Sequence, residues 1–282
     1  MFVLRRDDTV RFSRRAALAG GVLVLAGCAS VLPDMPHDQL PLTSGALEHL
    51  AAIHSTPGSA MLIRLYKESS ELELWKQTND GTFALFRAYH VCKWSGKLGP
   101  KFSEGDYQAP EGFYTVTPGM MNPNSKLYLS FNTGFPNKYD RAYGRTGSNL
   151  MIHGDCRSVG CFAMTDDGIR EIYAMARESF AGGNPSFQLQ LFPYRMTSAN
   201  IKSHADSPFT PFWENLKEGS DAFEASHVPP TWDVCGGRYV FNRVISADAS
   251  LNPLAPCPDL GPGGNMPTNV PPQPAPRPAA LA

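Results

Sequence analysis

From residue 61 onward the chain alternates apolar runs with breaks rich in Gly, Pro, Asn and Asp. Met61-Leu62-Ile63-Arg64-Leu65-Tyr66 is apolar enough for a buried strand, and Glu71-Leu72-Glu73-Leu74-Trp75 alternates with the period of two that a half-buried strand requires. Asn79-Asp80-Gly81 reads as a tight hairpin turn, because Asp-Gly tolerates the positive φ angles of a primed turn, and residues 82–91 supply the returning strand. Shorter strands are expected at 113–117, 127–131, 150–152 and 186–191. The period changes at 167–180, where Ile169, Ile172, Ala176 and Phe180 share one helical face, with Asp166 as the expected cap and Gly182-Gly183 beyond the end. Helical segments at 44–54, 198–204 and 211–223, and a hairpin built on Gly236-Gly237 between 231 and 241, complete the pattern. The expected fold is mainly β with peripheral helices.

With 282 residues, 42% of them hydrophobic, the chain can bury one sizeable core. Charge is nearly balanced, 25 Lys and Arg against 26 Asp and Glu, and the cations are scattered, so no nucleic-acid partner is implied. The ends differ from the middle. Arg5, Arg6, Arg11, Arg14 and Arg15 precede an apolar stretch that stops at Cys28 and is too short for a membrane-spanning helix, which is the pattern of an export signal. Leu25-Ala26-Gly27-Cys28 resembles a lipoprotein lipobox, with Cys28 as the lipidated residue, and Ser13-Arg14-Arg15 resembles a twin-arginine motif. Ala29 in place of Asp then points to the outer membrane, giving a periplasmic, lipid-anchored protein. The expected organisation is an export signal at 1–28, a tether and short helix at 29–58, a main domain at 59–195, a helical and hairpin extension packed on it at 196–245, and a Pro-rich disordered tail at 246–282.

Six cysteines in an oxidising compartment suggest disulfides, but if Cys28 is acylated five remain and at least one thiol stays unpaired. The densest run of reactive groups is His153-Gly154-Asp155-Cys156-Arg157-Ser158-Val159-Gly160-Cys161. In an unbroken helix its ends would stand about 12 Å apart, at ~1.5 Å per residue, yet Gly154 and Gly160 allow turns that fold Cys161 back on His153. A neutral imidazole there takes the thiol proton, the thiolate attacks a carbonyl, and backbone N–H groups at Gly160 and Cys161 are placed for the oxyanion. Two alternatives stand beside this reading: structural cysteine and histidine, or a zinc site built from His153, Cys156 and Cys161 with Cys92 or His90. Cys92 with Cys156, and Cys235 with Cys257, are candidate disulfide pairs. Asp155 could orient His153 or cap the turn.

Ile152-His153-Gly154 followed by Ser158-Val159-Gly160-Cys161 resembles the active-site signature of L,D-transpeptidases of the YkuD fold. Trp94-Ser95-Gly96-Lys97-Leu98-Gly99-Pro100-Lys101, Pro110-Glu111-Gly112-Phe113-Tyr114 and Tyr139-Asp140-Arg141-Ala142 are similar to its YafK branch. The resemblance implies a YkuD-like catalytic domain that acts on peptidoglycan stem peptides without metal or other cofactor. It makes Cys161 the nucleophile, His153 the base, and Gly160, Ser158, Gly154 and Asp155 the residues that shape the site. Arg141 and Arg157 are candidates to hold substrate carboxylates. Val159 stands where the family has a histidine, and the loop from His153 is short; both fit a hydrolytic branch that detaches an outer-membrane lipoprotein from diaminopimelate. True transpeptidation is the alternative within the family. A non-catalytic peptidoglycan-binding lipoprotein is the alternative outside it.

Overall fold

The computed structural model describes residues 35–158, 160–243 and 252–257. The expected export signal with Cys28, the start of the tether, Val159 and most of the Pro-rich tail lie outside those residues. The strands are β1 (Met61–Tyr66), β2 (Glu71–Gln77), β3 (Phe83–Trp94), β4 (Gly112–Val116), β5 (Met121–Asn122), β6 (Ser130–Asn132), β7 (Met151–His153), β8 (Phe162–Met164), β9 (Phe187–Phe192), β10 (Trp232–Cys235) and β11 (Arg238–Phe241). The helices are α1 (Ser44–Ala52), α2 (Lys138–Ala142), α3 (Asp166–Ala181), α4 (Ser198–Ser203) and α5 (Thr210–Ser226). Strands β1 to β9 form one sheet in the order β4-β9-β1-β2-β3-β8-β7-β6-β5, and β10 pairs with β11 separately. Among the described residues, only β1 with β9 and β7 with β8 run parallel.

The sheet centre is covered on both faces, which explains why every residue of β1 is buried. Ile63 and Leu65 join Leu189 and Leu191 of β9 and Ile169, Ile172 and Ala176 of α3 in one core. Tyr66 points the other way, with Phe113, Phe192, Phe212, Trp213 and Tyr239, into a second core closed by α5 and β11. Arg64 is buried on that second face because its guanidinium is satisfied by Gln190 Oε1, Ser220 Oγ and Glu224 Oε1.

Buried polar groups hold the long connections. Lys67 and Glu111 form a fully buried ion pair at 3.0 Å. The Lys67 Nζ also donates to Gly99 O, while Glu111 accepts from Gly99 N–H and from Trp213 Nε1. One pair thereby fixes the loop around Gly99, the start of β4 and helix α5. Asp106 accepts from the N–H groups of Phe102, Ser103 and Gln108 and pairs with Lys101, shaping the 101–108 loop from within.

Several expectations need correction. The 78–82 connection is longer than a two-residue primed turn, with positive φ at Gly81 and Asp80 accepting from Thr82 N–H. Thr165, not Asp166, caps α3, its Oγ1 accepting from Gly168 N–H. The tail expected to be disordered from 246 is anchored over 252–257, since Cys257 is bonded to Cys235 and Gly236 and Gly237 donate to Ala255 O and Pro253 O.

Candidate active site

Strand β7 ends in His153, and loop 154–161 returns to start the parallel strand β8. Parallel neighbours ordinarily need a crossover of a dozen or more residues. Here the strands are three residues long, so the return spans only about 10 Å at ~3.3 Å per residue. The chain leaves His153, reaches the far end of β8, where Cys156 N–H donates to Met164 O at 3.2 Å, and comes back to Cys161.

The register decides which side chains meet. Ile152 pairs with Phe162 and His153 with Ala163, which sets Cys161 beside Met151. Accordingly, Met151 N–H donates to Cys161 Sγ at 3.4 Å. Ile152 and Phe162 enter the first core, so Cys161 and His153 share the opposite face as diagonal neighbours, a relation that places residues roughly 7–8 Å apart, with Cβ atoms somewhat closer. In this structure no hydrogen bond joins imidazole to thiol; the thiol instead donates to Asn149 O at 3.6 Å.

His153 is 2% exposed, and its Nδ1 lies 2.6 Å from Gly154 O. A carbonyl can only accept, so the neutral ring carries its proton on Nδ1 and keeps a lone pair on Nε2. Burial pushes the His153 pKa below the usual 6.5, against smaller opposite effects of the Gly154 carbonyl and Asp155. Burial likewise pushes the Cys161 thiol above its usual 9.0, partly countered by the Met151 N–H and the charge of Lys101. The resting pair is neutral imidazole and thiol.

Of the residues expected to shape the site, Gly154 has the clearest place. Its N–H donates to Leu127 O and Leu129 O, and a Cβ there would stand 2.6 Å from Asp166 Oδ1 and 3.0 Å from Leu127 O. Ser158 Oγ accepts from Cys161 N–H at 3.1 Å, donates to Cys161 O at 2.6 Å, and lies 3.2 Å from Ser95 Oγ. The Cys161 N–H expected in an oxyanion hole is therefore engaged by Ser158 in this structure. Gly160 is buried with φ of +88°, a left-handed turn that leads into the cysteine.

Asp155 does not orient His153. Its carboxylate pairs with Arg157, whose hydrogen bond holds it below the usual carboxylate range, and its N–H donates to Asp166 Oδ1 at 2.8 Å. Arg157 pairs with Asp155 and is 79% exposed. Arg141 donates to Pro136 O and, among the described residues, has no hydrogen bond to the 149–161 segment. Sequence reasoning missed Asn149, Met151, Lys101 and Ser95 as neighbours of Cys161 and Ser158. Lys101 and Ser95 lie in the 94–101 block that carries the family resemblance, whereas Asn149 and Met151 contribute backbone atoms and leave no residue-type signal.

Cys92 and Cys156 are joined in a disulfide, as are Cys235 and Cys257, while Cys161 is a free, half-buried thiol. The zinc alternative thereby loses two of its proposed thiolate ligands. Asp155 and Cys156, neither of them glycine, both have positive φ, 67° and 37°. Such geometry costs of order 1–3 kcal/mol per residue and persists only where the surroundings enforce it.

Residues 73–181 match the family of L,D-transpeptidase catalytic domains called YkuD. The chain is 46% identical over 198 residues to YafK of Escherichia coli K12, a protein that carries a provisional L,D-transpeptidase name, covering 70% of this chain and 80% of that one. Among solved structures, the helical cell shape determining protein Pgp2 of Campylobacter jejuni, as its K307A mutant, aligns with a TM-score of 0.39 at 18% identity, over 67% of this chain and 69% of that one. Bd1075 of Bdellovibrio bacteriovorus aligns with a TM-score of 0.36 at 17% identity, over 64% and 79%.

Proposed function

The chain belongs to the YkuD family of L,D-transpeptidase cell-wall enzymes, and from that premise we propose that it cleaves acyl bonds of peptidoglycan stem peptides through a thioester on Cys161. The observation that carries this reading is the parallel β7–β8 register, which sets a free thiol and a neutral, buried imidazole diagonally on one face. His153 Nε2 takes the thiol proton as Sγ attacks the acyl carbon, and the same proton goes to the departing amine. Water then attacks the thioester, Nε2 takes its proton, and the carboxylate leaves as the thiol is restored. Carbonyl attack builds negative charge on oxygen, so Ser158 must yield the Cys161 N–H for that group to serve the oxyanion.

The bond we assign is the diaminopimelate amide that links an outer-membrane lipoprotein to murein. The short loop before Cys161 and Val159 at the position of the family's histidine support water as the acceptor, because both alter the side on which an amine would dock. Lipidation at Cys28 would hold the enzyme in the periplasm, at the outer membrane, beside that substrate. Murein sacculi bearing bound lipoprotein, incubated with the protein and analysed as muropeptides by mass spectrometry, test the assignment. Loss of lipoprotein remnants without new 3→3 dimers is the expected result. Accumulation of those dimers, or attachment of added lipoprotein without net release, would replace hydrolysis by transpeptidation.

A further inference from the structure

Strand β3 does not pair evenly with β8. Val91 opposes Met164 and Lys93 opposes Ala163, so two successive residues of β8 face three of β3 and Cys92 is the extra one. A bulge of this kind re-aims the side chain of the unpaired residue. Here that side chain is bonded to Cys156, in the loop between His153 and Cys161, with the two Cα atoms 5.2 Å apart. The partner is contorted as well: Asp155 and Cys156 are left-handed in succession, and the Cys156 N–H is tied to Met164 O, on the residue that Val91 opposes. Two local irregularities beside one short strand thus meet in a single bond, with a sequence separation of 64.

We infer that the Cys92–Cys156 disulfide positions the catalytic loop, holding residues 154–158 in the one course that brings Cys161 back alongside Met151, and that the enzyme is fully competent only while these sulfurs are joined. Cys156 is exposed and Cys92 half-buried, so the bond is open to reductant. On reduction, two electrons and two protons from a dithiol convert the pair to two thiols, and the dithiol becomes a disulfide. The loop then keeps few ties between Gly154 and Ser158: Asp155 N–H to Asp166 and Cys156 N–H to Met164. Such an enzyme has an unusual signature. A cysteine nucleophile is ordinarily protected by reductant, whereas this one is slowed by it. Cys92 and Cys156 touch no reacting atom; they act through the loop.

The inference rests on Cys161 being the nucleophile, and the test separates the two. Wild type, Cys92→Ser/Cys156→Ser and Cys235→Ser/Cys257→Ser proteins are compared for kcat and KM on murein, before and after dithiothreitol, with circular dichroism to confirm folding. We expect wild type and Cys235→Ser/Cys257→Ser to lose about 10²-fold in kcat on reduction, the scale of a small misplacement of reacting groups, with KM little changed and with recovery on reoxidation. Cys92→Ser/Cys156→Ser should start at the low rate and ignore dithiothreitol. Reduced wild type at full kcat, verified as reduced by intact mass, overturns the inference. Should Cys92→Ser/Cys156→Ser fail to fold, the reversible reduction of Cys235→Ser/Cys257→Ser, which keeps the Cys92–Cys156 bond and lacks the other, still decides. A readout independent of murein is the rate at which iodoacetamide alkylates Cys161 without reductant: it should differ several-fold between wild type and Cys92→Ser/Cys156→Ser. Equal rates overturn the brace, while full activity in Cys161→Ala overturns the nucleophile and leaves the alkylation comparison to judge the brace.

Discussion

Burial disfavours the charged form of a titratable group, so it lowers an imidazole pKa and raises a thiol pKa, and both shifts at this site leave neutral partners. In the mechanism we propose, proton transfer then accompanies attack instead of preceding it. The acid limb of kcat/KM should report His153 in the free enzyme and fall below pH 6.5, and the alkylation of Cys161 should accelerate only towards pH 9 and above. Rapid alkylation at pH 5 to 6, the mark of a preformed thiolate, would contradict the neutral pair. Cys161→Ala should remain folded and inactive on murein, and His153→Ala should lose about 10²–10⁴-fold in rate. The orienter of His153 is a backbone carbonyl, which makes Gly154 matter twice. Gly154→Ala drives a methyl against Asp166 Oδ1 and Leu127 O and moves the carbonyl that fixes the Nδ1 proton. We expect about 1–3 kcal/mol of lost stability by denaturant melts, the usual cost of overpacking, together with a larger loss of kcat. Unchanged kcat in a folded Gly154→Ala protein would show that the carbonyl does not orient the ring. The histidine and cysteine were legible in the sequence because their chemistry and Gly-Cys context are residue types. The carbonyl was not, and Asp155, the carboxylate a reader reaches for first, is turned away to Arg157.

At the scale of elements, β2 and β9 announce themselves by apolar–polar alternation, although the polar positions Glu73 and Gln190 are themselves buried, and α3 does so by its period. Pairing is another matter: nothing in Met151-Ile152-His153 or Phe162-Ala163-Met164 says that these two run parallel, yet that pairing creates the site. Short strands carry too few positions for a pattern, and α2 was missed for the same reason despite its capping box of Asn137 and Asp140. The exchange of roles at the start of α3 has a functional side. Thr165 satisfies the helix terminus, which frees Asp166 to hold Asp155 N–H and so the loop. Thr165→Ala should therefore cost about 1 kcal/mol, the ordinary value of a lost N-cap, with kcat little changed. Asp166→Ala should spare the helix and depress kcat. Equal effects of the two on kcat, measured beside melts, would argue that loop and helix are not separately held.

For the molecule as a whole, the extension beyond β9 is structural material for the half that carries Cys161 and His153. Phe212, Trp213, Leu216 and Tyr239 complete the second core with Tyr66, Phe113 and Phe192, and Trp213 Nε1 bonds the same Glu111 that pairs with Lys67. That pair lies beneath the 95–101 segment, from which Ser95 reaches Ser158, so the charge network, the extension and the cysteine loop share one support. Lys67→Met tests it sharply. Burial pushes the Lys67 pKa down while Glu111 pushes it up, a balance that holds only with both partners present. Removing the lysine strands the carboxylate in the interior, which costs roughly 3–5 kcal/mol, whereas replacing both partners, as in Lys67→Met/Glu111→Gln, should cost less than the lysine change alone. Urea titration followed by tryptophan fluorescence and by far-ultraviolet circular dichroism measures both quantities. If the two halves depend on this support, the two probes coincide in a single transition in every variant, and a chain ending at residue 195 gives no cooperative transition. Separate transitions in Lys67→Met, or a stable fold for the shortened chain, would mean that the extension is a passenger.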